Sequence, residues 1–84
     1  MRYTVIVEKP AENQLARIWT AAPDQQAVAD ASDRIDRELA NDAHLLKGVP
    51  LGVFRKYTDD PLAVLFHADP GDRMVRTIQY RRTR

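Results

Sequence analysis

The 84-residue sequence has no cysteine and only two histidines, His44 and His67. The lack of cysteine excludes a disulfide framework, a thiolate nucleophile and a zinc–thiolate site. Because the two histidines lie outside any ligand pattern, we expect no metal and no other cofactor. The apolar runs are too short for a membrane span or a signal-peptide core, which predicts a cytoplasmic chain with no membrane partner. The length has room for one domain, and we expect residues 1–84 to form it around a small core.

The near-neutral total charge conceals two halves of opposite sign. Residues 47–84 contain eight basic and four acidic residues, a net charge of +4. Residues 1–46 contain five basic and eight acidic residues, a net charge of −3. A basic half of this kind favours a polyanion or an acidic peptide as its partner. A solvated surface would have the same composition, so the charge alone leaves both interpretations open.

The first half of the sequence predicts a strand followed by a helical hairpin. Residues 3–7 alternate in polarity, as a half-buried strand does. Pro10 suits the first turn of a helix, which should end near Thr20, and Asp24 is a plausible N-cap for a second helix. Apolar residues at helical spacing then mark one face of each helix: Ala11, Leu15, Ile18 and Trp19 in the first, and Val28, Ala31, Ile35 and Leu39 in the second.

The second half predicts an antiparallel meander. Gly48 and Pro50 interrupt the helical pattern, and strand-like segments follow at residues 51–57, 62–67 and 74–80, joined by turn-forming residues. The fold class is therefore α+β: an N-terminal strand, a helical hairpin and a three-stranded antiparallel meander completing one sheet. We expect the helices to pack against Val53, Leu65 or Val64, according to register.

The sequence indicates a candidate site on the exposed face of that sheet. Arg55 and Tyr57 are two residues apart on a strand and share a face, which Arg76 or Tyr80 of a neighbouring strand would join if the register allows. Cutting RNA through its own 2′-hydroxyl needs a base, an acid and cations that stabilise the phosphorane. Arginine suits only the last role, because its pKa is too high for proton exchange.

Few residues can move the proton in such a reaction. His67 titrates in the useful range, whereas Lys56, Tyr57 and Tyr80 would need lowered pKa values. A structural histidine at the end of an apolar strand is the commoner case, so His67 has both interpretations. The arginines at the end of the chain are open to two interpretations as well: phosphate contacts or a solvated tail.

Residues 46–82 carry a resemblance to a known family. They open on Leu-Lys-Gly-Val-Pro, contain the strand Pro-Leu-Ala-Val-Leu-Phe and end in Ile-Gln-Tyr-Arg-Arg, after one strand and two helices. In this order the segments resemble the RelE/ParE superfamily of toxins from type II toxin–antitoxin systems. The resemblance implies the RelE/ParE-like fold and a cognate antitoxin as protein partner. It also implies cleavage of ribosome-bound mRNA for a RelE-like member, or poisoning of DNA gyrase for a ParE-like one.

The resemblance also implies roles for individual residues. In the RelE branch two basic residues stand at the positions of Arg55 and Tyr57, and an arginine stands at the position of Ala63. The expected catalytic residues are Arg55, His67, Tyr80 and Arg81. The expected RNA contacts are Lys47, Lys56, Arg76 and Arg82. Ala63 removes a cation where the transition state needs charge, so we expect weakened cleavage, with a noncatalytic gyrase-binding toxin or an inactive antitoxin-binding module as the alternative.

Overall fold

The structure, a computed structural model, describes residues 2–41 and 48–83. Its elements are β1 (Thr4–Val7), α1 (Lys9–Ala21), α2 (Gln25–Ala40), β2 (Val49–Leu51), β3 (Phe54–Asp59), β4 (Leu62–Asp69) and β5 (Met74–Arg82). The order confirms the α+β class expected from the sequence. One difference is that the first β segment of the second half is a hairpin of two strands, because the chain turns at Gly52, whose φ is +63°.

The five strands form one mixed sheet in the order β1-β5-β4-β3-β2. Neighbours are antiparallel except for β1, which lies parallel to β5 with Val5 opposite Val75. The antiparallel meander expected from the sequence is confirmed, and β1 joins its β5 edge in the parallel direction. Tight turns set the antiparallel direction of the strands in the meander. No turn joins β1 to β5, so no local feature of the sequence sets the direction of β1.

The two helices cover one face of the sheet. The Asp24 side chain caps α2 by accepting a hydrogen bond from the Ala27 N–H at 3.1 Å, as predicted. Fully buried side chains from α2 (Ile35, Leu39) and from the sheet (Leu62, Val64, Phe66, Val75) make the core. Of the residues expected to pack against the helices according to register, Val64 is buried, whereas Val53 is 75% exposed in the turn between β2 and β3. A turn residue has no neighbouring helix to cover it.

The guanidinium of Arg34 ties α2 to the end of β3. Its Nε and Nη2 donate to the two carboxylate oxygens of Asp59, each at 2.9 Å. This forked pairing fixes the distance and the angle between helix and strand more firmly than a single contact would. It holds the hairpin over the half of the sheet that contains the β3–β4 turn.

A bulge in β5 decides which side chains of its last part face the helices. Phe66 pairs with Thr77 and Leu65 pairs with Gln79, so Ile78 has no partner on β4. Simple alternation from Arg76 would place Tyr80 on the same face as Arg76. The extra residue reverses this and turns Tyr80 towards the helices. Arg81, which pairs with Ala63, then lies on the open face, the face of the sheet that the helices leave uncovered.

Candidate nucleic-acid interface

The open face carries a group of three cations from two strands, β3 and β5. Lys56 of β3 pairs with Leu65, Arg81 of β5 pairs with Ala63, and Arg76 of β5 pairs with His67. These side chains share the face opposite the buried residues of β4, because successive residues of a strand point to opposite sides. The expected contacts Lys56 and Arg76 therefore share this face with the expected catalytic residues Arg81 and His67.

Arg55 and Tyr57 lie on the other face, which corrects the expectation that they are part of an exposed site. Their register partners are the buried Phe66 and Val64, so both side chains point to the side of the helices. The Arg55 Nη2 donates to the Gly48 carbonyl oxygen at 3.2 Å and so links β3 to the chain entering β2. The two-residue spacing correctly predicted that Arg55 and Tyr57 share a face of the sheet, but it did not determine which face.

Tyr80 is also separated from the cations of the open face. Its side chain is buried, with 3% of the residue exposed. Burial raises the pKa of Tyr80 to about 12, and the negative charge of Asp36 adds to the rise. Ser32 lies near and opposes it, although no described residue is in hydrogen-bonding geometry with the buried hydroxyl. A phenol with this pKa stays protonated at neutral pH and cannot act as a general base.

His67 sits at the far end of the open face. Its ring meets the ring of Phe54 edge-on, with the centroids 6.2 Å apart. Arg76 lies opposite on β5 and donates from Nη1 to Glu8 Oε1 at 3.1 Å. His67 is four residues from Ala63 along β4, which is roughly 13 Å at strand spacing. A phosphate held near Ala63 is therefore beyond direct reach of the imidazole.

A candidate anion site surrounds Ala63. A shallow depression of about 420 Å³ is lined there by Lys56, Thr58, Asp60, Arg81 and Arg82. A second depression of about 160 Å³ lies next to it, and Lys56 and Arg81 line both. Two cations on either side of the small Ala63 side chain can hold a phosphate group. We call this group of Lys56, Ala63 and Arg81 the cation pair site.

Sequence reasoning missed two features of this surface. The bulge at Ile78 has no signature in a strand of mixed polarity, and it alone brings Arg81 to the open face. Lys56 was predicted to contact RNA, but its place on the open face was not predicted. The strand beside it, β4, is apolar on both faces, so the sequence of β4 does not indicate which face is buried.

The expected contact Lys47 lies outside the described residues. In the ranges that the structure describes, no three His, Asp or Glu residues group as metal ligands, and no helix is long and apolar enough to span a membrane.

Comparison with solved structures relates this architecture to toxin–antitoxin proteins. A chain of the toxin–antitoxin complex RelBE2 from Mycobacterium tuberculosis matches with a TM-score of 0.74 and 17% identity, over 98% of this chain and 99% of that one. A chain of the chromosomal ParDE toxin–antitoxin system from P. aeruginosa matches with a TM-score of 0.77 and 15% identity, over 99% and 98%. The conserved hypothetical protein HP0892 from Helicobacter pylori matches with a TM-score of 0.58 and 10% identity, over 95% and 93%.

These similarities confirm the RelE/ParE-like fold over nearly the whole length of the chain. No protein-family model matches the sequence, and no curated protein is significantly similar to it. At such low identity the likeness extends to the fold and does not carry individual functional residues across. The function of the site depends on its own side chains.

Proposed function

We propose that this chain is the toxin component of a type II toxin–antitoxin pair, that it acts in the cytoplasm, and that a protein antitoxin neutralises it. The observation that carries the proposal is the fold, which matches chains from two toxin–antitoxin systems over 98–99% of this chain. The basic open face supports it, because a surface with Lys56, Arg76 and Arg81 suits a polyanionic target. A small α+β domain with such a face has no need of a metal to bind nucleic acid.

The first candidate activity is that of a RelE-like mRNA interferase with weakened cleavage of ribosome-bound mRNA. The cation pair site would hold the scissile phosphate and stabilise the charge that builds on it. Arg76 would contact the strand farther along, as single-stranded RNA crosses the sheet. Proton transfer is the weak point, since Tyr80 is buried with a raised pKa and His67 is remote from Ala63.

The second candidate is a ParE-like toxin that binds DNA gyrase without cutting RNA. Ala63 is the observation that favours it, because a nuclease gains from a cation at this position and a binding surface does not. Loss of one such cation typically costs two to three powers of ten in rate, or about 3–4 kcal/mol of transition-state stabilisation. An interferase therefore needs the cation pair site to stabilise a transition state, whereas a gyrase-directed toxin needs it only for binding.

One experiment separates the two candidates. The chain is added to a translating cell-free system, where primer extension detects mRNA cleavage, and in parallel to gyrase, where supercoiling of relaxed plasmid is measured. An interferase cuts mRNA, and Lys56→Ala with Arg81→Ala removes the cutting, whereas the control Arg37→Ala on the exposed surface of α2 keeps it. Blocked supercoiling with intact mRNA would identify the gyrase-directed alternative and reject the interferase.

A gain-of-function variant sharpens the same test. Ala63→Arg places a guanidinium on the open face, directly opposite Arg81 in the sheet register. If the site binds a scissile phosphate, this variant should cut ribosome-bound mRNA faster than the unmodified chain. An unchanged rate in a folded variant would count against cleavage at this position.

The antitoxin part of the proposal is tested by copurification. The chain is coexpressed with the product of the reading frame next to its gene, and the two are separated by size-exclusion chromatography. A toxin and its antitoxin should elute together, and the partner should raise the melting temperature by mass action, since it binds the folded state alone. Separate elution with unchanged melting would contradict the assignment.

A further inference from the structure

The open face has an apolar part as well as a cationic one. Phe54 and Lys56 lie two residues apart on β3 and therefore share this face. Leu65 lies opposite Lys56 on β4, and His67 follows two residues farther along the same strand. The side chains of Phe54, Leu65 and His67 are half-buried, so each keeps part of its surface in contact with solvent. We call these three residues the aromatic platform.

The two rings of the aromatic platform stand at an angle to each other. The ring of Phe54 meets the ring of His67 with the planes inclined at 76°. In an edge-to-face contact, each ring leaves at least one of its faces free of the other ring. Leu51, the register partner of Phe54 on β2, is 51% exposed and extends the apolar surface. This part of the open face is therefore suited to a flat apolar group.

The aromatic platform adjoins the cation pair site. The depression of about 160 Å³ contains residues of both, and its lining includes Leu51, Lys56, Leu65, Gln79 and Arg81. None of the described residues that line it is acidic. The side chains of Phe54 and Lys56 leave β3 roughly 7 Å apart at strand spacing. The Gln79 side chain, opposite Leu65, adds an amide that is both donor and acceptor.

We propose that the aromatic platform binds a base of single-stranded RNA next to the phosphate that the cation pair site holds. The base stacks on the ring of Phe54 beside Leu65. The amide of Gln79 pairs with the edge of the base, while Lys56 and Arg81 contact the phosphate. This deepens the proposed function, on which it rests, because it identifies the side chains that position the RNA strand beside the scissile bond.

The chemistry of the surface favours this occupant over two others. An apolar segment of a partner protein would cover Leu51 and Phe54, but it would remove water from the Lys56 ammonium without supplying a partner. A second copy of this chain, related by a two-fold axis, would bring its own Lys56 and Arg81 against these two, and like charges oppose that contact. A nucleic-acid strand supplies a flat ring and an adjacent anion together.

Binding of two oligonucleotides tests the proposal on the unmodified chain. The probe is a hexamer of deoxyadenylate, which has no 2′-hydroxyl and so cannot be cut in the proposed reaction. Its control is a hexamer with the same phosphates on abasic sugars. Fluorescence anisotropy at about 50 mM salt should show at least about fivefold tighter binding of deoxyadenylate. In nuclear magnetic resonance spectra, Overhauser effects should join the base protons to the ring of Phe54 and not to Trp19.

Three variants separate the contribution of the base from that of the phosphate. Phe54→Leu keeps an apolar side chain but removes the ring, so it should weaken binding of deoxyadenylate at least about fivefold and leave the abasic hexamer unchanged. Trp19→Leu is the matched control, since it removes an aromatic ring that is 45% exposed on α1, and it should change neither affinity. Lys56→Ala should weaken both hexamers alike and reduce the salt dependence of log Kd by roughly 0.7.

Several results would overturn the proposal. Equal binding of the two hexamers would show that the face recognises charge alone. Equal losses for the two hexamers in a folded Phe54→Leu variant, or base contacts centred on Trp19, would place the base elsewhere. A lack of deoxyadenylate binding at about 1 mM would also contradict it.

Failure of this inference can be distinguished from failure of the proposed function. If the chain cuts ribosome-bound mRNA but the two hexamers bind equally, the aromatic platform does not hold a base and the interferase assignment stands. If deoxyadenylate stacks on Phe54 but neither mRNA cleavage, gyrase inhibition nor an antitoxin is found, the proposed function is wrong and the open face is a nucleic-acid site of another kind.

Discussion

Replacing Ile35 with alanine measures how firmly the helical hairpin is held on the sheet. Ile35 is fully buried on α2. The substitution deletes three carbon groups, whose transfer from water is worth roughly 0.8 kcal/mol each, or about 2.4 kcal/mol together. The cavity left behind adds to this, which brings the expected loss to about 2–5 kcal/mol. A domain of this length has roughly 4–13 kcal/mol of stability, so the variant loses a large share of it.

Urea unfolding followed by far-ultraviolet circular dichroism gives the free energy directly. Trp19 is a less suitable probe than the backbone signal, because it is 45% exposed in the folded chain. Val53→Ala is the matched control: it also shortens an aliphatic side chain, but Val53 is 75% exposed, so its cost should stay below about 0.5 kcal/mol. A loss near zero for Ile35→Ala, or equal losses for the two variants, would refute the packing described for α2.

Three further substitutions test particular groups. Tyr80→Phe removes a buried hydroxyl without a described partner, so stability in urea should be unchanged or rise by up to about 1 kcal/mol. Burial, followed by the charge of Asp33, raises the pKa of Asp36 above 3.8. Its folded form therefore holds its proton more tightly than the unfolded form, and its contribution is lost as pH rises from 3.8 through the folded pKa. The free energy of unfolding of Asp36→Asn minus that of the parent, measured in urea, should therefore be larger at pH 7 than at pH 3. Asp24→Ala should cost about 1 kcal/mol through loss of the cap, and no measurable cost would contradict the role of its bond to Ala27.

The helical half of the fold could be read from the sequence because its signals are local. The cap at Asp24 and the apolar spacing from Val28 to Leu39 need only neighbours within a few turns, and both are confirmed. The direction of β1 could not be read in this way. Its pairing with β5 joins residues about seventy positions apart, with no turn between them to set the orientation.

The candidate site was harder to predict for the same reason. Which face of β3 is open depends on its register with β4, and β4 is apolar on both sides, so Arg55 and Lys56 could not be told apart. Tyr80 faces the helices and Arg81 faces the open side because of one unpaired residue, Ile78. The grouping of the cations on one face therefore required the sheet to be assembled.

Growth after induction tests the central claim, that this chain is a toxin held in check by an antitoxin, most directly. The chain is expressed from a controlled promoter, alone or with the product of the neighbouring reading frame, and colony counts are taken over time. We expect arrest with the chain alone, recovery with the partner, and no arrest for the Lys56→Ala, Arg81→Ala double variant at equal protein level if the target is RNA. Normal growth with the folded chain alone at high expression would contradict it.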